Sequence, residues 1–285
     1  MASPSHPSNK FHFDTSSLFE KVASTYEHTS TVMKEIAGQL LHLSPTLASD
    51  SVVLDNAAGP GIVTGEILRL PQFKEGNYPT IHATDNSAAM IRALEARAVR
   101  ESWPKDIVKS HVMDSMDLST FPDNMFTHIY MAAAIHIIPE PLKAIAEIKR
   151  TLKPDGVALV TSFEKQGFIE VFQHVQQAIR PDSPIWKGPL PEEWLKEEKL
   201  RAVIEGGGFE GNKVEIQRFG TWMKGEEWST PGSMLLMEAL TKSVTNGWSE
   251  EETKRFEEKL KEDMASATVR SKSYEMNVFV AIARK

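Results

Sequence analysis

Short apolar runs alternate with helix-period stripes over the first 165 residues of this chain. Val52, Val53 and Leu54 run unbroken into Asp55, the pattern of a buried parallel strand. Gly59, Pro60 and Gly61 then mark a tight turn, and a helical pattern continues from about Ile62 to Leu70, stopping before Pro71. Thr80 to Thr84 predicts a second strand ending at Asp85. A helix follows, with Ser87 as its N-cap and Met90, Ile91 and Leu94 on one face. Ile107 to Val112 and Phe126 to Ala133 predict strands three and four. Pro141 to Leu152 predicts a helix closed by the turn Lys153-Pro154-Asp155-Gly156, and Val157 to Phe163 a fifth strand. Upstream, Val22, Tyr26, Thr29, Met33, Ile36, Ala37, Leu40 and Leu41 recur at helical spacing, so Leu18 to Leu43 reads as one helix, broken by Ser44-Pro45. Such alternation of strand and helix argues for a doubly wound α/β fold with a parallel sheet.

The pattern changes after strand five. Phe168 to Ile179 reads as a helix. Pro181 to Pro191 is a Pro-rich loop holding Trp186, and Glu192 to Glu205 is a helix ending at Gly206-Gly207-Gly208. Val214 to Phe219 and Tyr274 to Ala283 read as strands. The stretch between them, Trp222 to Lys272, is too long for a hairpin and should hold two helices, Ser233 to Val244 and Ser249 to Met264. The chain divides into a disordered N-terminus (1–15), an N-terminal helical cap (16–50), a core (51–165) and a C-terminal part (166–285) whose helical cap spans about 222–272.

Composition narrows the function. Net charge is −7, which argues against nucleic acid or an anionic membrane as partner, since both need clustered Lys and Arg. The chain has 0 cysteines, so it has no disulfide, no thiolate metal site and no Cys nucleophile. Met1 to Lys10 lacks the apolar core of a signal peptide, and no apolar run is long enough to span a membrane. No histidine pairs with an acid at metal-ligand spacing, so no metal is expected. These features fit a cytoplasmic protein, monomer or homodimer, acting on a small molecule.

The chemistry concentrates at the strand ends. A carboxylate such as Asp85 can accept hydrogen bonds from both hydroxyls of a ribose. The glycine turn could cradle a phosphate or a small zwitterion. Its spacing is not G-x-G-x-x-G, and Asp55 directly precedes it, which suits an ammonium group better than a pyrophosphate. A plain NAD dehydrogenase is disfavoured for that reason. Asp114 is placed to accept from an exocyclic adenine amine, with Met116 and Ile62 able to sandwich the ring.

In order along the chain, D-N-A-A-G-P-G, A-T-D-N-S, V-M-D-S-M-D and I-K-R-T-L-K-P-D-G-V resemble the motifs of class I S-adenosylmethionine-dependent methyltransferases. The match runs from Val52 to Phe163, about 40% of the chain. The N-A-x-G-x-G form, the N-terminal helix with Tyr26 and the long cap look most like methyltransferases of fungal secondary metabolism, with the thiomethyltransferase of gliotoxin metabolism as the type. One departure is Ala57, which stands where the family usually has its first loop glycine.

The resemblance implies a Rossmann-like seven-stranded sheet of order 3-2-1-4-5-7-6, its last strand antiparallel, with a helical cap. It implies S-adenosyl-L-methionine as cofactor and S-adenosyl-L-homocysteine as product. Asp55, Asn56, Ala57, Gly59 and Gly61 would surround the methionine part, Asp85, Asn86 and Met90 the ribose side, and Ile62 with Met116 the faces of the adenine. Asp114, Ser115 and Met116 would hold the adenine, and Ala132 to His136 would face the methyl group. His136 is the candidate general base for a hydroxyl, thiol or amine acceptor. Tyr26, His136, Phe168, Trp186, Trp222, Met234 and Met237 are candidates to line a substrate pocket, with Met suited to irregular ligands.

Blander readings stand beside these. Asp55 could cap the following helix, Asp85 could cap the next one, and Asp114 could face solvent; the ligand-facing reading is preferred for each. His136 could equally be packed in its loop. His111 and His128 fit strand packing; His28 could line the pocket, though solvent exposure is the preferred reading. Core packing explains any single cap residue. The expected activity is methyl transfer to O, N or S of a small, mostly apolar natural product. Two alternatives stay open: a methyltransferase-like regulatory or scaffold protein, and a cofactor-retaining cyclase.

Overall fold

Seven strands form one sheet: β1 (Val52–Asn56), β2 (Thr80–Asp85), β3 (Val108–Val112), β4 (Phe126–Met131), β5 (Leu152–Gln166), β6 (Val214–Lys224) and β7 (Ser273–Arg284). Their order is β3-β2-β1-β4-β5-β7-β6, as the resemblance implies. Strands β1 to β5 pair in parallel, and β7 runs antiparallel between β5 and β6. The computed structural model describes residues 15–26, 31–73 and 76–285. His28 lies outside the described residues, and so does the N-terminus expected to be disordered, up to residue 14.

Helices cover both faces of the sheet. The chain supplies α1 (Thr15–Tyr26), α2 (Thr31–Leu43), α3 (Ile62–Leu68), α4 (Ala88–Arg100), α5 (Pro141–Thr151), α6 (Ile169–Ile179), α7 (Glu197–Gly206), α8 (Pro231–Val244), α9 (Glu250–Ala265) and α10 (Ala267–Arg270). Successive strand residues point to opposite faces. Val53, Tyr130 and Leu159 therefore join one core with α2, α3 and α6, while Leu54, Ile129 and Val160 join another with α5 and α7. Two buried faces explain the unbroken apolar runs of the central strands. Each enclosed Leu or Ile contributes about 1.5–3 kcal/mol relative to exposure. His128 and Tyr130 share a face, with their rings stacked at 6.4 Å.

The structure departs most from the pattern-based reading at four places, besides shifts of one or two residues at other ends and a third short helix, α10, in the stretch expected to hold two. The single helix expected over Leu18 to Leu43 is two helices, α1 and α2; the sequence between them includes Thr29 and Ser30, residues of low helix propensity. The helix read over Glu192 to Glu205 is a 3-10 turn (Glu192–Leu195), an extended Lys196 and then α7. Tertiary packing breaks it: Trp194 is buried, and its carbonyl accepts from Ser162 Oγ at 3.2 Å. The Lys153 to Gly156 turn is absorbed into β5 as an irregularity in its pairing with β4, with Asp155 at a positive φ of 62°. Strand β6 runs on to Lys224, past the expected end at Phe219.

The cap docks from two directions. Phe256, Leu260 and Met264 of α9 are buried in the same core as Phe172 of α6. Leu235 and Leu236 of α8 pack with Leu18 and Val22 of α1 and with Met90 of α4. The cap is thereby tied to the helix that begins beside Asp85.

Candidate cofactor and acceptor site

The parallel strands end together, and their acids arrive at one edge. Beyond β1 the backbone turns through the left-handed region three times, at Ala57 (φ 57°), Gly59 (φ 54°) and Gly61 (φ 75°). Ala57 adopts the conformation that glycine takes freely, at a cost of about 1–2 kcal/mol for an L-residue. An imagined Cβ on Gly59 would meet nothing nearer than Met90 Sδ at 3.9 Å, an ordinary contact, so Gly59 itself is not crowded.

The loop is held from β2. Asp85 Oδ2 accepts from Gly59 N at 2.8 Å, and its Oδ1 accepts from Ser87 N at 2.9 Å. A carboxylate has about four acceptor positions, so two remain for a ligand. Ala58 N donates to Thr84 O at 2.8 Å. Burial pushes the Asp85 carboxyl above its ordinary range, against the pull of the Ser87 and Gly59 hydrogen bonds.

Asp55 is also buried, and it faces inward. Its Oδ2 accepts from Thr64 N at 3.0 Å and from Thr64 Oγ1 at 2.7 Å. The capping role is thus present in the fold: Asp55 ties the end of β1 to the first turn of α3. Burial raises its pKa to about 6, with the Thr64 bonds opposing.

Asn56 is fully buried between two hydroxyls. Its Oδ1 accepts from Thr84 Oγ1 at 3.1 Å and from Ser115 Oγ at 2.8 Å, while its Nδ2 is buried with no hydrogen-bond partner. This bridge joins the ends of β1, β2 and the loop after β3. Asp114 Oδ1 accepts from Met116 N at 2.8 Å, a local turn that fixes the loop. Asn86 is exposed, while Ile62 and Met90 are buried. Hydrogen bonds therefore link Asp55, Asn56, Gly59, Asp85 and Ser115 directly to the loop or to one another.

Beyond β4, Ala133 takes a positive φ of 53°, and its N–H donates to Thr161 Oγ1 at 2.7 Å. A 3-10 turn (Ile135–Ile137) then presents His136. Its ring meets Phe163 at 5.5 Å and Trp194 at 6.4 Å, and its Nδ1 is buried without a hydrogen-bond partner. Desolvation pushes its pKa down to about 4, so the imidazole is neutral near pH 7.

Comparison with known proteins agrees with this architecture. Residues 54–160 match the family described as a methyltransferase domain. A methyltransferase of an Acremonium species, ucsB, is 30% identical over 213 residues, 70% of each chain. The chain belongs to the methyltransferase family. Methyltransferase tpcH of Aspergillus fumigatus is 22% identical over 211 residues, 72% of each chain. A crystal structure of a Bacillus halodurans protein titled a putative methyltransferase shares the fold at a TM-score of 0.55, with 18% identity, covering 87% of this chain and 98% of that one.

In this methyltransferase the substrate-side candidates are dispersed. Phe168 is buried edge-on to Trp228, with ring centroids 5.5 Å apart. Trp186 is half-buried; its indole N–H donates to Ser243 Oγ at 3.3 Å. Met237 packs half-buried on the large core. Trp222 and Met234 are exposed, at 54% and 58%, the first near the end of edge strand β6. Tyr26 is the last residue of α1.

Four site residues escaped the sequence reading. Thr64 clamps Asp55, Thr161 fixes Ala133, and Glu20 accepts from Ser87 Oγ at 2.6 Å, docking α1 on α4. Arg97 is fully buried under the loop, where Nη1 donates to Gly61 O at 2.9 Å. Only Arg97 left a signal, as a charged residue seven positions after Met90 on the apolar face of α4.

Proposed function

We propose that the chain transfers a methyl group from S-adenosylmethionine to O, N or S of a small, mostly apolar natural product of fungal secondary metabolism. The observation that carries the cofactor reading is the bond from Gly59 N to Asp85 Oδ2 at 2.8 Å, which sets a ribose-competent carboxylate against the glycine loop. Family membership supports methyl transfer, and ucsB and tpcH are themselves fungal methyltransferases.

The residues fit such a cofactor. Asp85 keeps free acceptor positions, Gly59 has room for more than its hydrogen, and Asn56 Nδ2 is a buried donor without a partner. When bound, the sulfonium supplies an already electrophilic methyl group, so the protein's work is alignment and exclusion of water. Asp85 would hold the ribose hydroxyls, with Asn86 and Met90 beside them. The backbone from Asp55 to Gly61 would hold the methionine part. Asp114, Ser115 and Met116 would hold the adenine, and Ala132 would lie on the approach to the methyl group.

His136 would take the acceptor's proton through its unpartnered Nδ1. A neutral imidazole with a pKa of about 4 is available as a base at neutral pH but is a weak one. That strength suits acceptors that ionise readily, such as a thiol or a phenol, and suits aliphatic alcohols poorly. Phe163 and Trp194 give the base an apolar surround that excludes water.

Calorimetry with S-adenosylmethionine tests the cofactor reading. Asp85→Ala should weaken binding at least tenfold, and unchanged affinity would remove Asp85 as the ribose ligand. His136→Ala should cut turnover while leaving cofactor affinity close to that of the parent; an unaffected rate would remove it as the base. Mass spectrometry of a fungal metabolite extract incubated with methyl-labelled donor identifies the acceptor.

A further inference from the structure

We propose that Arg97 is a positioning residue for the cofactor loop: from within α4 it grips the Gly61 carbonyl and holds the left-handed turn in the shape that receives the ligand. The proposal rests on the cofactor reading above.

Arg97 is fully buried, although arginine is among the residues least often enclosed. Its Nη1 donates to Gly61 O at 2.9 Å, its Nε donates to Glu101 Oε1 at 2.8 Å, and its guanidinium lies 5.1 Å from the Trp103 ring centre. Glu101 is itself held by Arg69 Nη2 at 2.7 Å and by the Trp103 indole N–H at 3.2 Å. The network runs from the end of α3 through Glu101 to the underside of the loop.

Satisfying a buried carbonyl does not explain this arrangement. Gly61 O already accepts from Gly65 N at 2.9 Å as the first bond of α3. Arg97 therefore fills the second lone pair of a carbonyl that has a partner. Stability alone does not single out an arginine here, because apolar residues in place of a largely buried ion pair are often neutral or stabilising. What the guanidinium adds is direction: a planar fork that grips two acceptors at fixed angles.

The surrounding sequence makes room for it. Gly65 lies inside α3, where glycine costs about 1 kcal/mol relative to alanine. A Cβ there would stand 2.5 Å from Arg97 Nη2 and 2.9 Å from Cζ. The helix thus carries a destabilising glycine at a point where a side chain would displace the guanidinium. A Cβ on Gly61 would likewise press on Leu94 and Trp103, at 3.0 and 3.2 Å. The turn sits directly on α4, and Arg97 is its polar fastening. Its charge also favours the ionised form of Asp55.

The experiment pairs hydrogen exchange with calorimetry on Arg97→Met, Arg97→Lys and Gly65→Ala, using S-adenosylhomocysteine as the probe. In the ligand-free protein, amides of peptides covering 57–64 should exchange at least tenfold faster in Arg97→Met and Gly65→Ala, with those of β4 and β5 unchanged. Affinity for the probe should fall at least tenfold in both variants, and Arg97→Lys should recover part of the loss. Exchange that rises uniformly over the whole chain, or affinity within twofold of the parent, overturns the proposal. If Arg97→Met fails to fold, Gly65→Ala, which keeps the arginine, decides by the same criteria. If the parent protein does not bind the probe, the cofactor reading falls, and the local exchange result alone decides the role of Arg97.

Discussion

Asp55 shows how a single side chain is read differently from sequence and from structure. The sequence marked Asp55 as a strand-end acid before a glycine turn; the structure shows it bonded to Thr64 of α3. That partner, nine positions on, was not legible, because their meeting depends on how the intervening loop closes. The burial that follows has a consequence for pH. The folded protein holds the Asp55 proton up to about pH 6, whereas an unfolded aspartate releases it near pH 3.9. A raised folded-state pKa contributes stability below the unfolded value that is lost as pH rises through the folded one. Two pK units correspond to about 3 kcal/mol. Urea unfolding at pH 4 and at pH 7.5 should therefore show the stability difference between Asp55→Asn and the parent moving by about that amount toward the variant; a pH-independent difference would refute the shift. His136 acts in the opposite sense. Its folded pKa is depressed to about 4, so its contribution is full above about pH 6.5 and is lost as the pH falls through 4. The parent should accordingly lose stability to acid between those limits more steeply than a His136→Phe variant, measured by the same titration.

At the level of elements, caps were easier to read than breaks. Ser87 was legible as the N-cap of α4 and does accept from Met90 N at 3.1 Å. Ser249, read as the cap of the last long helix, forms a reciprocal capping box with Glu252. Such signals are local and survive in the sequence. The break at Lys196 was illegible because its cause is remote, namely the burial of Trp194 beside His136 and Ser162. The same break supplies one aromatic wall around His136. Ser87 has a second job, which the sequence hid: its hydroxyl donates to Glu20 of α1 at 2.6 Å. Ser87→Ala should therefore lose more than a simple cap, which is worth about 1 kcal/mol. Glu20→Gln should cost less, since an amide oxygen can still accept. If thermal midpoints place the two substitutions level, the cap on α4 contributes little to stability.

At the scale of the whole molecule, the sheet order was legible because the motifs matched a known arrangement, whereas the attachment of the cap was not. Hydrophobic spacing foretold helices between β6 and β7 but not what they would touch. The structure joins them to the sheet through one continuous core, in which Phe256 of α9 lies fully buried with Phe172, Trp228, Val280 and Val53. Phe256 meets Trp248 edge-on at 5.7 Å, and Arg180 crosses from the end of α6 to grip Glu252 at 2.6 and 2.8 Å and stack 4.5 Å from the Trp248 ring centre. A cap with a core of its own could unfold separately; this one shares its apolar contacts with the strands. Phe256→Ala removes a fully enclosed ring and should cost about 3–5 kcal/mol. Because the core is shared, that loss should fall on the whole molecule. Tryptophan fluorescence, to which Trp228 and Trp248 of the cap contribute along with the other four of the six tryptophans, and far-ultraviolet circular dichroism, which reports the sheet and all the helices, should shift to lower urea together in Phe256→Ala and remain coincident. An early fluorescence transition accompanied by only the partial loss of dichroism that α8 and α9 carry would instead show the cap to be an independently melting unit, and the placement of substrate-side residues such as Phe168 and Trp186 would then depend on whether it was closed.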